Sequence, residues 1–166
     1  FTKGEFGKPI LLHSDGIDFN LAHSGDLALV AVARGRKVGV DVERIRQNTD
    51  LEKIARRYFS PREVSELLAL PENQRFIGFF NCWTRKEAYI KAHGLGLSMP
   101  LDSFDVSLAP GEPAVLRETR PAPNEAAHWM LLALNVASDY AATLAVEGKN
   151  LEFRYWDAIW NPEGVS

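Results

Sequence analysis

Asp41 and Glu43 are two acidic residues placed two positions apart in the segment KVGVDVE, residues 37–43. The alternating valines of this segment predict a β-strand with an apolar face and an opposite face that carries both acids. Two carboxylates on one face repel each other unless a cation lies between them, and Mg²⁺ prefers such hard oxygen ligands. For an isolated pair, a solvated strand face is the alternative interpretation.

A third carboxylate, Glu87, stands between two lysines in the segment WTRKEAYIK that begins at Trp83. On a helical wheel of 100° per residue, Glu87 falls inside an aromatic stripe centred on Trp83. Lys86 and Lys91 fall on the borders of this stripe, whereas Arg85 is expected to face solvent. A carboxylate on the core-facing side of a helix is unfavourable unless it is paired or binds a metal. The alternative is an ordinary i,i+4 pair of Glu87 with Lys91, which contributes about 0.2–0.5 kcal/mol.

The two segments together form a coherent set of groups for phosphate chemistry. Asp41, Glu43 and Glu87 would hold Mg²⁺, and the two lysines would neutralise a phosphate drawn to it. A metal ion flanked by cations is what transfer of a phosphoryl-type group requires. His23 is predicted to lie in a turn after a strand, where its ring either reaches a ligand or bonds to the backbone.

The elements that position these groups are predicted from apolar periodicity and turn-forming residues. Ser60, Pro61 and Glu63 have the pattern of a helix N-terminus with a capping box, and Gly94 is a typical helix stop. The predicted strands cover 19–22, 27–33, 37–43, 103–108, 114–117, 128–136 and 140–147, and the predicted helices cover 61–69 and about 71–93. This order predicts an α+β fold, with an antiparallel sheet packed on one long helix.

The composition is that of an ordinary soluble globular protein, with 46% apolar and 25% charged residues over a length of 166. The net charge of −3 gives no global basic field, which argues against nucleic acid as a partner. The apolar runs fall well short of the roughly 20 residues that span a bilayer, so no membrane partner is predicted. A single cysteine, Cys82, excludes an internal disulfide framework and favours the reducing cytoplasm.

The two segments that carry the three carboxylates, together with segments near them in the chain, resemble the signature of the 4′-phosphopantetheinyl transferases. The matching segments are GEFGKP (4–9), FNLAHSG (19–25), GVDVE (39–43), WTRKEAYIK (83–91) and LGLSMPLDSF (95–104). The resemblance is to the larger, pseudo-dimeric, surfactin-synthetase-activating type that serves peptide, polyketide and fatty-acid synthases. It implies a two-lobed architecture with a pseudo-two-fold axis. Residues 1–38 would be a remnant of the N-terminal lobe and residues 39–166 the C-terminal lobe, in a protein that is monomeric when full length.

The resemblance also implies a reaction. Members transfer the 4′-phosphopantetheine arm of coenzyme A (CoA) to a serine of an apo acyl or peptidyl carrier protein and release adenosine 3′,5′-bisphosphate. Asp41, Glu43 and Glu87 would hold the Mg²⁺, and Glu87, Lys91 and Asp41 would be the catalytic residues. Either Glu87 or a water molecule on the metal would deprotonate the carrier serine.

Further positions are assigned to CoA by the same resemblance. Lys91, with Lys86 nearby, would bind the pyrophosphate. The nucleotide end would be held by Lys8 and His23, with Gly7 and Pro9 shaping the adenine pocket.

Two alternatives to the transferase remain open at the level of the sequence. The first is a non-catalytic relative that binds CoA or a carrier protein without turnover. The second is a Mg²⁺-dependent hydrolase of nucleotide diphosphates, which would release product with no carrier present. One departure from the family pattern is Ala22, since members often have serine at this position.

Overall fold

The computed structural model of the protein describes residues 2–3, 8–10, 15–47, 50–94 and 96–158. Within these residues the helices are α1 (Leu51–Tyr58), α2 (Pro61–Ala69) and α3 (Glu72–His93). The strands are β1 (Thr2–Lys3), β2 (Pro9–Ile10), β3 (Ile17–Ser24), β4 (Leu27–Arg34), β5 (Val38–Arg44), β6 (Phe104–Val106), β7 (Leu116–Thr119), β8 (Trp129–Ala133) and β9 (Tyr140–Glu147). None of the described helices is long and apolar enough to cross a membrane.

The central element is an antiparallel sheet with the strand order β5–β9–β8. Its two faces contribute to two separate apolar clusters, so the sheet is covered on both sides. Helix α3 covers one face, where Ala88 and Ala145 are fully buried. The β3–β4 hairpin contributes to the cluster on the other face, with Val40 and Leu144 among the residues in contact. Burial on both faces explains why β9 is nearly continuously apolar instead of alternating.

The two predicted helices form because their ends are chemically specified. At the start of α2, Ser60 Oγ accepts a hydrogen bond from Glu63 N at 3.2 Å, and Glu63 Oε2 accepts one from Ser60 N at 2.9 Å. This is the predicted capping box. Helix α3 ends at Gly94, whose φ of 73° is the left-handed conformation that glycine adopts without strain.

Strands β3 and β5 are joined by side chains. Asp18 Oδ2 accepts a hydrogen bond from Val38 N at 2.8 Å, and Asn20 Oδ1 accepts one from Val40 N at 2.9 Å. Ser24 Oγ continues this row, because it accepts a hydrogen bond from Arg44 N at 3.1 Å. Each pair is separated by 20 positions, so the two strands lie side by side in a parallel sense.

The α+β class and the packing of an antiparallel sheet on one long helix are confirmed. Strand β9 coincides with the prediction, and α2 and α3 agree with it closely. Helix α1 was not predicted, although Asp50 accepts a hydrogen bond from Lys53 N at its start. The proposed division at residues 38 and 39 stays a prediction.

The row of side chains between β3 and β5 predicts a specific loss of stability. Asn20→Ala removes the acceptor for the amide of Val40 at a buried position, where an unpaired donor costs about 1–3 kcal/mol. We expect chemical denaturation to show a decrease of this size in the free energy of unfolding. Ala28→Ser, at an exposed position of β4, is the control and should change it little. Equal stability of Asn20→Ala and the parent protein would contradict the role of this row.

Candidate functional site

Strand β5 and helix α3 are in direct backbone contact at Gly39. A Cβ atom built on this residue would lie 2.2 Å from the carbonyl oxygen of Ala88 and 2.3 Å from the amide nitrogen of Ala92. No side chain fits in that space, so the approach requires glycine. Because alternate residues of a strand share a face, Asp41 and Glu43 also project toward α3. The solvated strand face considered above is therefore not what the structure shows.

The carboxylate of Asp41 is buried, with 5% of its side chain exposed. Its Oδ1 accepts a hydrogen bond from Lys91 Nζ at 2.6 Å, whereas Oδ2 is buried without a hydrogen-bond partner among the described residues. Burial raises the pKa of Asp41 to about 7, against the opposing effect of Lys91, and the charges of Glu87 and Glu43 raise it further. Asp41 thus has one satisfied oxygen and one oxygen that lacks a positive partner.

Glu87 and Glu43 complete a group of three interacting carboxylates. Glu87 lies one helical turn before Lys91 and is half-buried. Burial raises the pKa of Glu87, Lys91 opposes this shift, and the charge of Glu43 adds to it. Glu43 is approached from the β3 side by Ser24, whose Oγ donates a hydrogen bond to Oε2 at 3.1 Å.

A divalent cation fits the chemistry of these three carboxylates. Within the described residues no group of three or more His, Cys, Asp and Glu side chains is arranged as a ready metal cage. The unpartnered Oδ2 of Asp41 and the mutual repulsion with Glu43 and Glu87 nevertheless identify a place where an added positive charge is favourable. Lys91 supplies one such charge from the rim, with 31% of its side chain exposed.

Lys8 lies near the C-terminal end of α3, and its ammonium group is bound to the protein itself. Nζ donates hydrogen bonds to Asp18 Oδ2 at 2.6 Å and to the carbonyl oxygens of Val38 at 3.0 Å and Ala92 at 3.5 Å. Lys8 therefore joins β3, β5 and α3. Its predicted contact with a nucleotide stays a prediction, and it would compete with these three acceptors.

His23 lies inside strand β3, so its predicted position in a turn is wrong. Its side chain is exposed, and the neighbouring Ser24 is the residue that faces Glu43. Since successive side chains of a strand point to opposite faces, His23 points away from Glu43. Of the two residues predicted to shape an adenine pocket, Gly7 lies outside the described residues, and Pro9 pairs with Lys3 in the small β1–β2 ladder.

The position of Lys86 differs most clearly from the one predicted for the site. Its side chain is fully buried, and Nζ lies 2.8 Å from Glu63 Oε2 instead of facing the three carboxylates. Arg85, expected in solvent, is also buried, and burial lowers its pKa to about 10. The helical wheel assumed one apolar stripe, but α3 packs against the sheet on one side and against α1, α2 and β6 elsewhere. Few positions of this helix face solvent.

Two residues of the site, and one residue outside it that binds Lys86, were not found from the sequence. Gly39 sets the distance between β5 and α3, and a glycine inside a predicted strand was the available signal. Ser24 contacts Glu43 across two elements, which no local pattern reveals. Glu63 was found only as a helix cap, although its carboxylate also binds Lys86.

Comparison with known proteins gives consistent matches. Residues 37–145 match the sequence model of the 4′-phosphopantetheinyl transferase superfamily. The chain is 42% identical over 153 residues to the 4′-phosphopantetheinyl transferase HetI of a Nostoc species, which covers 90% of this chain and 61% of that protein. It is 40% identical over 108 residues to the 4′-phosphopantetheinyl transferase Sfp of Bacillus subtilis, covering 65% of this chain and 47% of that protein.

A solved structure supports the same fold. The crystal structure of the Thermotoga maritima holo-[acyl-carrier-protein] synthase matches with a TM-score of 0.50 and 23% identity, over 69% of this chain and 64% of that chain. The chain spans between about half and three fifths of the length of the two curated relatives above. The family resemblance inferred from the sequence is confirmed.

The raised pKa of Asp41 predicts a pH-dependent stability of the metal-free protein. The pKa is about 7 in the folded state and about 3.9 in an unfolded chain, so between these values the folded state binds more protons. Stability attributable to Asp41 is therefore present at low pH and lost as the pH rises toward 7. We expect Asp41→Asn to gain stability over the parent progressively from pH 4 to 7, by at most on the order of 4 kcal/mol.

Urea unfolding of both proteins in buffer with a chelator measures this difference at each pH. Asp26→Asn, at an exposed turn, is the matched control and should show a nearly constant difference from the parent. A difference between Asp41→Asn and the parent that does not change with pH would contradict the burial argument.

The contact at Gly39 predicts that even a methyl group is too large there. Gly39→Ala would force β5 away from α3, because the atoms it meets are backbone atoms that cannot rotate aside. We expect a loss of about 1–3 kcal/mol or more in the free energy of unfolding. Gly78→Ala is the comparison and should cost less, because its added methyl group meets only the ends of leucine side chains, Leu70 at 2.5 Å and Leu67 at 3.3 Å, and helix propensity improves. An unchanged stability of Gly39→Ala would show that the two elements are less closely packed.

Proposed function

The chain belongs to the 4′-phosphopantetheinyl transferase superfamily, and we propose that the protein transfers the 4′-phosphopantetheine arm of CoA to a serine of an apo carrier protein. Mg²⁺ as cofactor and a cytoplasmic location are parts of this proposal, as is a monomeric full-length protein. The observation that carries the proposal is the meeting of Asp41, Glu87 and Lys91 between β5 and α3. This arrangement provides anionic ligands for a metal and a cation for a phosphate in one place.

Lys91 is the residue proposed to neutralise the pyrophosphate of CoA. Its ammonium group holds Asp41 with one hydrogen bond and stays partly exposed at the rim of the site. An ammonium group has three N–H donors, so beside the hydrogen bond to Asp41 two donors of Lys91 can bind phosphate oxygens. Charge-assisted hydrogen bonds of this kind stabilise the negative charge that builds up on the leaving group.

The reaction is a displacement at phosphorus. The oxygen of the carrier serine forms a bond to the phosphorus that bears the pantetheine arm, and the bond from that phosphorus to the bridging oxygen breaks. Adenosine 3′,5′-bisphosphate leaves with the electron pair of the broken bond. Bound Mg²⁺ would be held by Asp41, Glu43 and Glu87, and it supplies charge neutralisation for the pyrophosphate oxygens.

Glu87 is the residue best suited to accept the proton of the serine. Burial raises its pKa, so its carboxylate is a stronger base than that of an exposed glutamate. It is half-buried instead of enclosed, so a partner protein has access to it. Asp41 is less suited, because it is buried and its Oδ1 already accepts from Lys91.

Glu87→Gln tests the proposed reaction while keeping the shape of the side chain. We expect carrier modification in the presence of CoA and Mg²⁺ to fall at least about 100-fold, because a proton acceptor and a metal ligand are lost together. Intact-mass spectrometry of the carrier protein measures the added phosphopantetheine directly. The melting temperature should stay within a few degrees of the parent value.

The exposed glutamate Glu52 of α1 provides the control, since Glu52→Gln removes a carboxylate that belongs to a surface pair with Arg56 and not to the three-carboxylate group. It should leave the rate unchanged. No modification of any carrier by the parent protein, together with CoA binding, would favour the non-catalytic alternative. Release of nucleotide product without a carrier would favour the hydrolase.

A further inference from the structure

Lys86 is buried on the side of α3 that is turned away from the sheet. Its ammonium group has three acceptors: Glu63 Oε2 at 2.8 Å and the carbonyl oxygens of Leu101 at 2.6 Å and Phe104 at 2.7 Å. Nζ also lies 4.3 Å from the centroid of the Phe104 ring. The ammonium group is thus surrounded by an anion and two carbonyl oxygens of the protein itself, and its side chain is fully buried.

Glu63 is the matching anion, and it has a complete set of donors. Oε1 accepts a hydrogen bond from Val106 N at 2.8 Å, and Oε2 accepts one from Ser60 N at 2.9 Å and also forms the ion pair with Lys86. The pair therefore connects the start of α2, the middle of α3 and strand β6 at one buried point. Neither side chain exposes more than 1% of its surface.

Helix α3 is fixed on two opposite faces. On one face Ala88 and Ala92 touch the backbone of Gly39. At 100° per residue, Lys86 lies about 160° around the helix from Ala88, and its pair holds the other face. Glu87 lies on the flank between these two contacts, about 100° from Lys86.

We propose that the buried Glu63–Lys86 pair fixes the rotation of α3 and so sets Glu87 and Lys91 against Asp41. Lys86 is then a positioning residue that does not touch CoA. A carboxylate about 6 Å from the helix axis moves by roughly 2 Å when the helix turns by 20°. A displacement of that size is enough to disperse a set of metal ligands or misplace a reacting group.

A purely structural role is the competing explanation, and the two make different predictions. A buried ion pair often contributes little net stability, because the desolvation of two charges offsets their attraction. Removing both charges together should therefore restore part of the stability lost on removing one, although the carbonyl oxygens of Leu101 and Phe104 still lose their donor. If the pair sets the rotation of α3, the restored protein should still bind a cation poorly.

The test uses the double variant Glu63→Gln/Lys86→Met, which removes both charges and keeps an acceptor for the amide of Val106. Binding of Mn²⁺ alone, as a paramagnetic substitute for Mg²⁺, is measured by electron paramagnetic resonance, and melting temperatures are recorded in parallel. We expect the Mn²⁺ dissociation constant to rise at least tenfold, while the double variant stays folded and melts above Lys86→Met. Lys86→Met alone should melt much lower, since it leaves Glu63 unpaired.

The matched control is Glu52→Gln/Arg56→Met, which removes an exposed pair on α1 and should bind Mn²⁺ as the parent does. Parent-like Mn²⁺ binding by the folded Glu63→Gln/Lys86→Met protein would overturn the positioning role. The inference rests on the proposed function. The two can fail separately: a parent protein that neither binds Mn²⁺ nor modifies a carrier would contradict the function itself, whereas parent-like Mn²⁺ binding by the variant would contradict only the positioning role.

Discussion

The close approach of β5 to α3 at Gly39 is the constraint on which the site depends. With no side chain at this position, the strand lies against the backbone of Ala88 and Ala92. Two residues further along the strand, Asp41 comes within hydrogen-bonding distance of Lys91, and Glu43 follows on the same face. A strand held further from the helix would present the same residues without bringing them together.

The site combines charge with burial, and this combination makes an added positive charge favourable there. Asp41 keeps one buried oxygen without a partner among the described residues. Burial raises the pKa of Asp41 and that of Glu87, and the charge of Glu43 adds to both shifts. In a protein without a function at this place, such an arrangement would be an uncompensated loss of stability. It becomes favourable when a cation and a phosphate are the intended occupants, because both gain more from charges in a low-dielectric site than in water. The buried pair of Glu63 and Lys86 is the contrasting case, since the two charges lie 2.8 Å apart and Lys86 also donates to two carbonyl oxygens.

The fold class and the ends of α2 and α3 could be predicted because they are local properties of the sequence. A capping box at Ser60 and a glycine at 94 act within a few residues, and β9 is a single apolar run between turns. The identity of the three carboxylates was also accessible, because a strand with two acids and a helix with a core-facing glutamate are local patterns. The burial of Lys86 and the orientation of His23 were not accessible, since they depend on which elements surround α3 and on where β3 ends. The partners of Lys8 are 10, 30 and 84 positions away, and no short-range pattern encodes such contacts.

The central claim is that β5 and α3 together form one cation site next to Lys91. Anomalous diffraction from crystals of the protein soaked with Mn²⁺ and CoA tests this claim most directly, because it locates the metal without reference to activity. The account predicts a single strong anomalous peak bounded by the carboxylates of Asp41, Glu43 and Glu87, with Lys91 directed at the pyrophosphate. A peak bound elsewhere, or a fully occupied CoA with no metal among these three residues, would contradict it.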